Sequence, residues 1–414
     1  MIVSTGRAAA ATAAVTTPPS IFLVAGEPSG DALGGRLMAA LRELSAGNVR
    51  FVGGVGGPRM AEQGLESLFP MDDLTLMGFA EVVPSVPRVL RRLRETAEAV
   101  ERLRPDLIVT VDSPGFSLRL HGRLAARPIG RELVRVHYVA PQVWAWWPSR
   151  AKRLAGVLDH LLVLLPFEPP FFEAHGLPCT FVGHPVVEEA VAACADPAIF
   201  RARHGLPPDA PLVCVLPGSR RSEIDQHMPV LGATLPLLAG RLPGLRAVLP
   251  TLPGIAARVR AAAAGWPVPA TVIEDRAERF DAFAASRVAI AASGTVALEI
   301  ALAGLPLVTI YRTKPLTAFL ARRLIRVRYV NLINLVLDRP AVPELLQDDC
   351  RPEPIAAAAL GLIEDDTLRD RQKAAMAEAT ALLGRGGEPP SRRAADALLR
   401  VMAAGQPQQR RRTS

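Results

Sequence analysis

IFLVAGEPSGDALGGRLMAALREL, residues Ile21–Leu44, decides the fold. Ile21–Ala25 is an unbroken apolar run of a length that suits one strand. Gly26, Pro28 and Gly30 then turn the chain. After the turn Leu33, Leu37, Ala40, Leu41 and Leu44 recur at helical spacing, which gives a helix one apolar face. A strand that feeds a helix through a tight turn is half of a βαβ unit. Its lack of polar alternation means that both faces of the sheet are covered.

The same theme continues outward. Further strands are predicted at Arg50–Gly53, Asp106–Asp112, Leu133–Val139, Leu161–Leu165 and Thr180–Gly183, with amphipathic stretches between them. From Ala192 to Pro211 the pattern breaks around Pro197, Pro207 and Pro208. It restarts at Leu212–Leu216, Arg246–Leu249, Thr271–Ile273, Val288–Ala291 and Leu307–Ile310. The fold class is therefore α/β, with two Rossmann-like doubly wound domains and an interdomain cleft. The boundary falls near residue 195. Residues 1–19 read as a disordered extension, 20–195 as the first domain, 196–355 as the second, 356–404 as C-terminal helices and 405–414 as a basic tail. No internal repeat is evident.

Composition narrows the class further. The chain has 414 residues, 50% hydrophobic and 21% charged, enough for two domains with cores of their own. The net charge of +8 suits nucleic acid, anionic lipid or a phosphorylated substrate, but an arginine-rich solvated surface accounts for it equally. The four cysteines (Cys179, Cys194, Cys214, Cys350) form no CxxC pair, and the seven histidines fall in no ligand pattern, so a reduced protein without a metal is expected. No apolar run approaches the ~20 residues that span a bilayer. The Ala- and Thr-rich start lacks the apolar centre of a signal peptide. A cytoplasmic location is expected, with contact to the membrane still open.

Five segments place glycine or polar residues at strand ends, where open α/β sheets bind ligands. Glu27, Ser29, Gly30 and Asp31 lie between the first strand and its helix. They read either as an anion-binding loop or as an ordinary turn with Ser29 or Asp31 as N-cap. Neither this loop nor Gly53–Gly57 fits a P-loop or GxGxxG pattern, which argues against a nucleotide hydrolase or dehydrogenase. Asp112 ends the strand 107–111, a position suited to a general base for a sugar hydroxyl, or to a helix cap. Trp144, Trp146 and Trp147 crowd the loop after the fourth strand, either to stack on a ligand or to pack the loop. Ser219 and Arg220 follow the first strand of the second domain and suit a diphosphate, or form a solvated charged turn. Ser293, Gly294 and Thr295 lead a strand into a helix that carries Glu299 one turn on, a carboxylate placed for ribose hydroxyls or for solvent.

Taken in order, the segments VAGEPSGD (Val24–Asp31), FVGGVGGPRM (Phe51–Met60), MGFAEVV (Met77–Val83), VDSPGF (Val111–Phe116), HYVAPQVWAW (His137–Trp146), LPFE (Leu165–Glu168), FVGHP (Phe181–Pro185), LPGSR (Leu216–Arg220), ASGTVALE (Ala292–Glu299), IYRTKP (Ile310–Pro315) and VNLINLVLDR (Val330–Arg339) resemble one family. It is lipid-A-disaccharide synthase, a family of inverting glycosyltransferases with a GT-B-type fold. The likeness runs from about residue 20 to about residue 400. Pro28, Ala140 and Trp147-Pro148 depart from the family's pattern. Other GT-B enzymes acting on UDP-GlcNAc would not carry GEPSGD and HYVAPQVWAW together. A non-catalytic lipid-binding protein would leave Asp112 and Ser293–Glu299 unexplained.

The resemblance implies transfer of 2,3-diacylglucosamine from its UDP derivative to 2,3-diacylglucosamine 1-phosphate, giving a β-1,6 disaccharide 1-phosphate and UDP in a Gram-negative bacterium. It implies that Asp112 is the base, and that Arg220, Ser293, Gly294, Thr295, Glu299 and Asn334 bind the donor. The first domain would face acceptor and membrane, the second would bind the UDP-sugar, and no cofactor or nucleic acid is called for. Acylated substrates also require contact with an anionic membrane surface, on the cytoplasmic face of the inner membrane. Met77, Phe79, Val82 and Val83, with Arg88, Arg91 and Arg92 close behind, are the candidate contact. The competing reading is a helix packed on the sheet with solvated arginines.

Overall fold

The computed structural model describes residues 18–74, 79–146, 149–191, 195–314, 318, 323 and 327–412. Strands β1 (Ser20–Ala25), β2 (Arg50–Val55), β3 (Leu107–Val111), β4 (Val134–Tyr138), β5 (His160–Val163) and β6 (Cys179–Phe181) form one sheet, ordered β2-β1-β3-β4-β5-β6. A second sheet is built from β7 (Leu212–Leu216), β8 (Arg246–Pro250), β9 (Ala270–Ile273), β10 (Val288–Ala292), β11 (Leu307–Tyr311) and β12 (Glu344–Leu346), ordered β12-β11-β10-β7-β8-β9. Both sheets are parallel. Sheet membership changes between β6 and β7, on either side of residue 195. The most compact division of the chain lies elsewhere, inside β4: one unit runs to Val136 and takes in the chain from Leu398, and the other is His137–Ala397.

Burial explains the strand sequences. β1, β3, β7 and β10 are buried at every residue. Along β7, Leu212, Cys214 and Leu216 enter one apolar cluster while Val213 and Val215 enter another. Successive side chains of a strand point to opposite faces, so a helix-covered sheet needs apolar residues at both parities. Each such side chain contributes roughly 1.5–3 kcal/mol of burial. In the first unit, helix α1 (Pro28–Leu44) buries Leu33, Leu37 and Leu41, the row that its spacing predicts. Gly54 is required by packing: a Cβ there would stand 2.0 Å from the Leu23 carbonyl, beside a register irregularity between β1 and β2.

Helix α2 (Pro58–Glu62) follows β2, and α3 (Phe79–Leu103) precedes β3. Leu93, Ala97 and Val100 of α3 join the core, whereas Val86 and Leu90 are exposed by 45% and 52%. Met77 lies outside the described residues, and of Phe79, Val82 and Val83 only the helical backbone is described. Arg88 and Arg91 are exposed. Arg92 is engaged within the fold. Its guanidinium meets Asp73 at 2.5 Å and Glu95 at 2.6 Å, and lies 4.5 Å from the centre of the Phe69 ring. No helix among the described residues is long and apolar enough to cross a membrane. The last helix, Pro390–Arg412, continues through the stretch read as a basic tail.

Candidate active site

In the first unit the loops after β1 and β3 pack together at the carboxyl edge. A Cβ on Gly26 would come within 2.9 Å of Ser113 Oγ, and one on Gly30 within 3.0 Å of the Val111 carbonyl. Asp112 and Ser113 both adopt left-handed backbone, with φ of 54° and 46°. Such strain costs on the order of 1–3 kcal/mol per residue and persists only where the surroundings enforce it. Here Ser117 Oγ donates to the Asp112 carbonyl at 2.8 Å, and helix α4 (Pro114–Ala125) begins at once. Asp112 does not cap that helix, because Ser113 holds the N-cap position. One carboxylate oxygen of Asp112 accepts from Ser113 N at 2.8 Å; the other takes the Ser29 hydroxyl at 3.3 Å, and the side chain is half-buried.

Asp31 has a different task from its neighbours Glu27, Ser29 and Gly30. Its buried carboxylate accepts three backbone N–H groups, from Gly57 (2.8 Å), Arg59 (2.9 Å) and Met60 (3.0 Å), at the start of α2. It thus fastens the first turn of α1 to the turn after β2 and the start of α2.

The two described tryptophans of the aromatic loop diverge. Trp144 donates to Glu168 at 3.1 Å and meets Phe167 edge-on at 4.9 Å, so it packs the loop. Trp146 is 40% exposed, and Trp147 lies outside the described residues. Glu168 also accepts from Leu164 N and Leu165 N; burial pushes its carboxyl up to about 7 against these hydrogen bonds. Val139, β-branched, is held at φ 80° while its N–H bonds to Leu162.

In the second unit, Gly218 at φ 118° turns the chain after β7. Glu223 accepts from Ser219 N (2.9 Å), Arg220 N (3.2 Å) and the Arg220 guanidinium (2.8 Å), so its carboxylate ties the loop to the first turn of helix Arg221–Ala239. The Arg220 side chain remains 76% exposed and uses one of its five N–H donors in that pair. His227, which the sequence did not single out, joins the same loop to the end of β11. Pro217 O accepts from Nδ1 at 2.7 Å, and Arg312 N donates to Nε2 at 2.9 Å, so the ring is the neutral Nδ1–H tautomer. Burial holds its pKa below the ordinary range.

At the end of β10, Ser293 Oγ donates inward to Val330 O at 2.9 Å. Gly294 faces open space, and Thr295 stands exposed at the start of helix Val296–Leu302. Glu299 is buried, 2.8 Å from Arg279 Nε. The angle of that approach leaves both atoms without a formal hydrogen bond, so the contact is electrostatic. Burial raises the Glu299 pKa and lowers that of Arg279. Asn334 uses all four of its hydrogen-bonding positions within the protein: Nδ2 to Val342 O and Glu344, Oδ1 from Ala341 N and Val342 N. Among the described residues no cluster of His, Cys, Asp and Glu is placed to hold a metal.

Two parallel Rossmann-like sheets, each with polar loops at its carboxyl edge, make up a GT-B-type fold. Solved structures of this architecture include UDP-GlcNAc 2-epimerase from Neisseria meningitidis bound to UDP-GlcNAc. The TM-score is 0.60 at 12% identity, covering 93% of this chain and 100% of that one. The glycotransferase of kitacinnamycin gives 0.58 at 18% identity, covering 93% and 99%. Within that class the assignment is specific. The lipid-A-disaccharide synthetase family matches residues 21–397, and the chain belongs to it. The lipid-A-disaccharide synthase of Rhodospirillum centenum is 57% identical over 385 residues, which are 93% of this chain and 95% of that protein. The chain is accordingly a glycosyltransferase.

Proposed function

We propose that the enzyme transfers 2,3-diacylglucosamine from its UDP derivative to the 6-hydroxyl of 2,3-diacylglucosamine 1-phosphate. The acceptor oxygen forms a bond to the anomeric carbon as the bond to the diphosphate breaks. The electron pair leaves with UDP, and Asp112 takes the hydroxyl proton. Base assistance of this kind is worth about 10²–10⁴ in rate. Arg220 offers its exposed guanidinium to the departing diphosphate. The Ser293-Gly294-Thr295 turn receives the rest of the donor, Asn334 and Glu299 serving it as internal supports. Residues 20–195 then handle acceptor and membrane, and 196–355 the UDP-sugar.

The observation that carries this reading is Asp112, a carboxylate at the end of a fully buried parallel strand, held in strained backbone beside the Ser29 hydroxyl. Attachment to an anionic membrane on the cytoplasmic face runs through α3, whose exposed Val86 and Leu90 stand close to Arg88 and Arg91. The test is a product assay with purified protein and both acylated substrates. Disaccharide 1-phosphate and UDP should appear in equal amounts and only with both substrates present. UDP released without acceptor, or none with it, overturns the reading.

A further inference from the structure

The short edge strand β12 carries a residue that the reaction scheme leaves unused. Glu344 pairs in register with Thr309 on β11, and its carboxylate turns toward the segment 330–334. One oxygen accepts from Val330 N at 3.0 Å; the other accepts from Asn331 N at 3.0 Å and from Asn334 Nδ2 at 2.8 Å. The peptide between Val330 and Asn331 is therefore gripped at both ends. Glu344 holds its N–H, and Ser293 Oγ holds its C=O at 2.9 Å. Asn331, fully buried, locks the same segment by donating to Thr309 Oγ at 2.6 Å and accepting from Ile333 N at 2.7 Å. Ser293 is tied in turn to β11, its N–H donating to Ile310 O at 3.0 Å.

We infer that Glu344 is a positioning residue of the donor site: through the Val330–Asn331 peptide it fixes Ser293 and the Ser-Gly-Thr turn. The chemistry singles out a carboxylate. Three N–H donors converge on two oxygens, and every contact is an acceptor contact, which a glutamine of the same shape cannot reproduce. Its amide nitrogen would face either Val330 N or the pair of Asn331 N and Asn334 Nδ2, donor against donor. The peptide then rotates or shifts, and Ser293 loses the carbonyl that anchors it. The inference rests on the reading that the donor binds at residues 293–295.

The experiment compares Glu344→Gln, Ser293→Ala and their double variant, with Arg220→Ala as an independent probe of the donor site. UDP affinity is measured by calorimetry, and KM and kcat for the UDP-sugar by turnover. Each of the first two variants should weaken UDP binding and raise donor KM by about tenfold, with kcat changed less than threefold. Because both act through one peptide, the double variant should lose little more than the worse single one. Losses that multiply to about a hundredfold overturn the inference. So does normal UDP affinity in Glu344→Gln when Arg220→Ala binds weakly, an outcome that leaves the donor site standing. Unchanged UDP affinity in Arg220→Ala and Ser293→Ala alike removes the donor-site reading and the inference with it. If Glu344→Gln fails to fold, Glu344→Asp replaces it in the cycle, and multiplicative losses with Ser293→Ala overturn the inference in the same way.

Discussion

Substituting Asn for Asp31 keeps the shape of the side chain and removes its charge and one acceptor oxygen. In the parent, Oδ1 accepts from Gly57 N and Met60 N, and Oδ2 from Arg59 N at 2.9 Å. An asparagine oxygen at the Oδ1 position preserves two of these bonds, now without charge. Its amide nitrogen then faces Arg59 N, so one half-buried N–H is left without its acceptor. Hydrogen bonds to an ionised group contribute about 1.5–3 kcal/mol, and an orphaned buried donor costs a similar amount, so the start of α2 should lose roughly 2–4 kcal/mol. The first unit contains no tryptophan, so fluorescence offers no probe inside it. Amide hydrogen exchange does. Exchange at Gly57, Arg59 and Met60 should accelerate about 30- to 1000-fold, while amides of β7 and β10 keep the parent rates. Exchange within threefold of the parent at those three amides would refute the assignment of Asp31 to holding α2.

Glu168 keeps its proton up to about pH 7 when folded but releases it near 4.5 when unfolded, so its contribution falls as pH rises across that window, by about 3 kcal/mol in all. Tryptophan-monitored urea unfolding should show this slope vanish in Glu168→Gln; parallel profiles for parent and variant would contradict it. His184, buried and with its pKa lowered to about 4 by desolvation, contributes in the opposite sense: stability is lost as pH falls from 6.5 toward 4, and His184→Asn should abolish that loss. Between pH 4.5 and 6.5 the two slopes oppose one another, so each single variant should expose the slope of the other group. On the membrane, Val86→Glu, Leu90→Glu, Arg88→Glu, Arg91→Glu protein should no longer float with anionic liposomes. Equal flotation of parent and variant would remove α3 as the contact, and Arg92 is left intact because it holds Asp73 and Glu95.

Much of the fold was legible in the sequence because parallel strands covered on both faces are written as short apolar runs. Among the described residues, all the strands but one are marked in that way. The exception, β12, has three residues and starts with Glu344, and nothing in its composition separates it from a loop. That same glutamate organises the segment beside Ser293 through bonds to backbone N–H groups, which leave no periodic trace. Asp112 was legible as a strand-end carboxylate, although setting aside a capping role needed the backbone geometry that places Ser113 at the N-cap. Asp31, Glu299 and Asn334 illustrate the limit. A polar residue near a strand end reads alike whether it faces a ligand or the protein's own amides and arginines. The tryptophan cluster divides for a similar reason: Trp144 finds Glu168 and Phe167, while Trp146 stays exposed.

In the proposed reaction Asp112 removes the acceptor proton while the second unit binds the donor. Single-turnover transfer with Asp112→Asn, alongside UDP binding by the same protein, tests it most directly. Asparagine retains one oxygen for Ser113 N or Ser29 Oγ, so the loop should persist. The expected rate is lower by about 10²–10⁴, with UDP affinity within threefold of the parent. A folded variant that transfers the sugar at nearly the parent rate would contradict it.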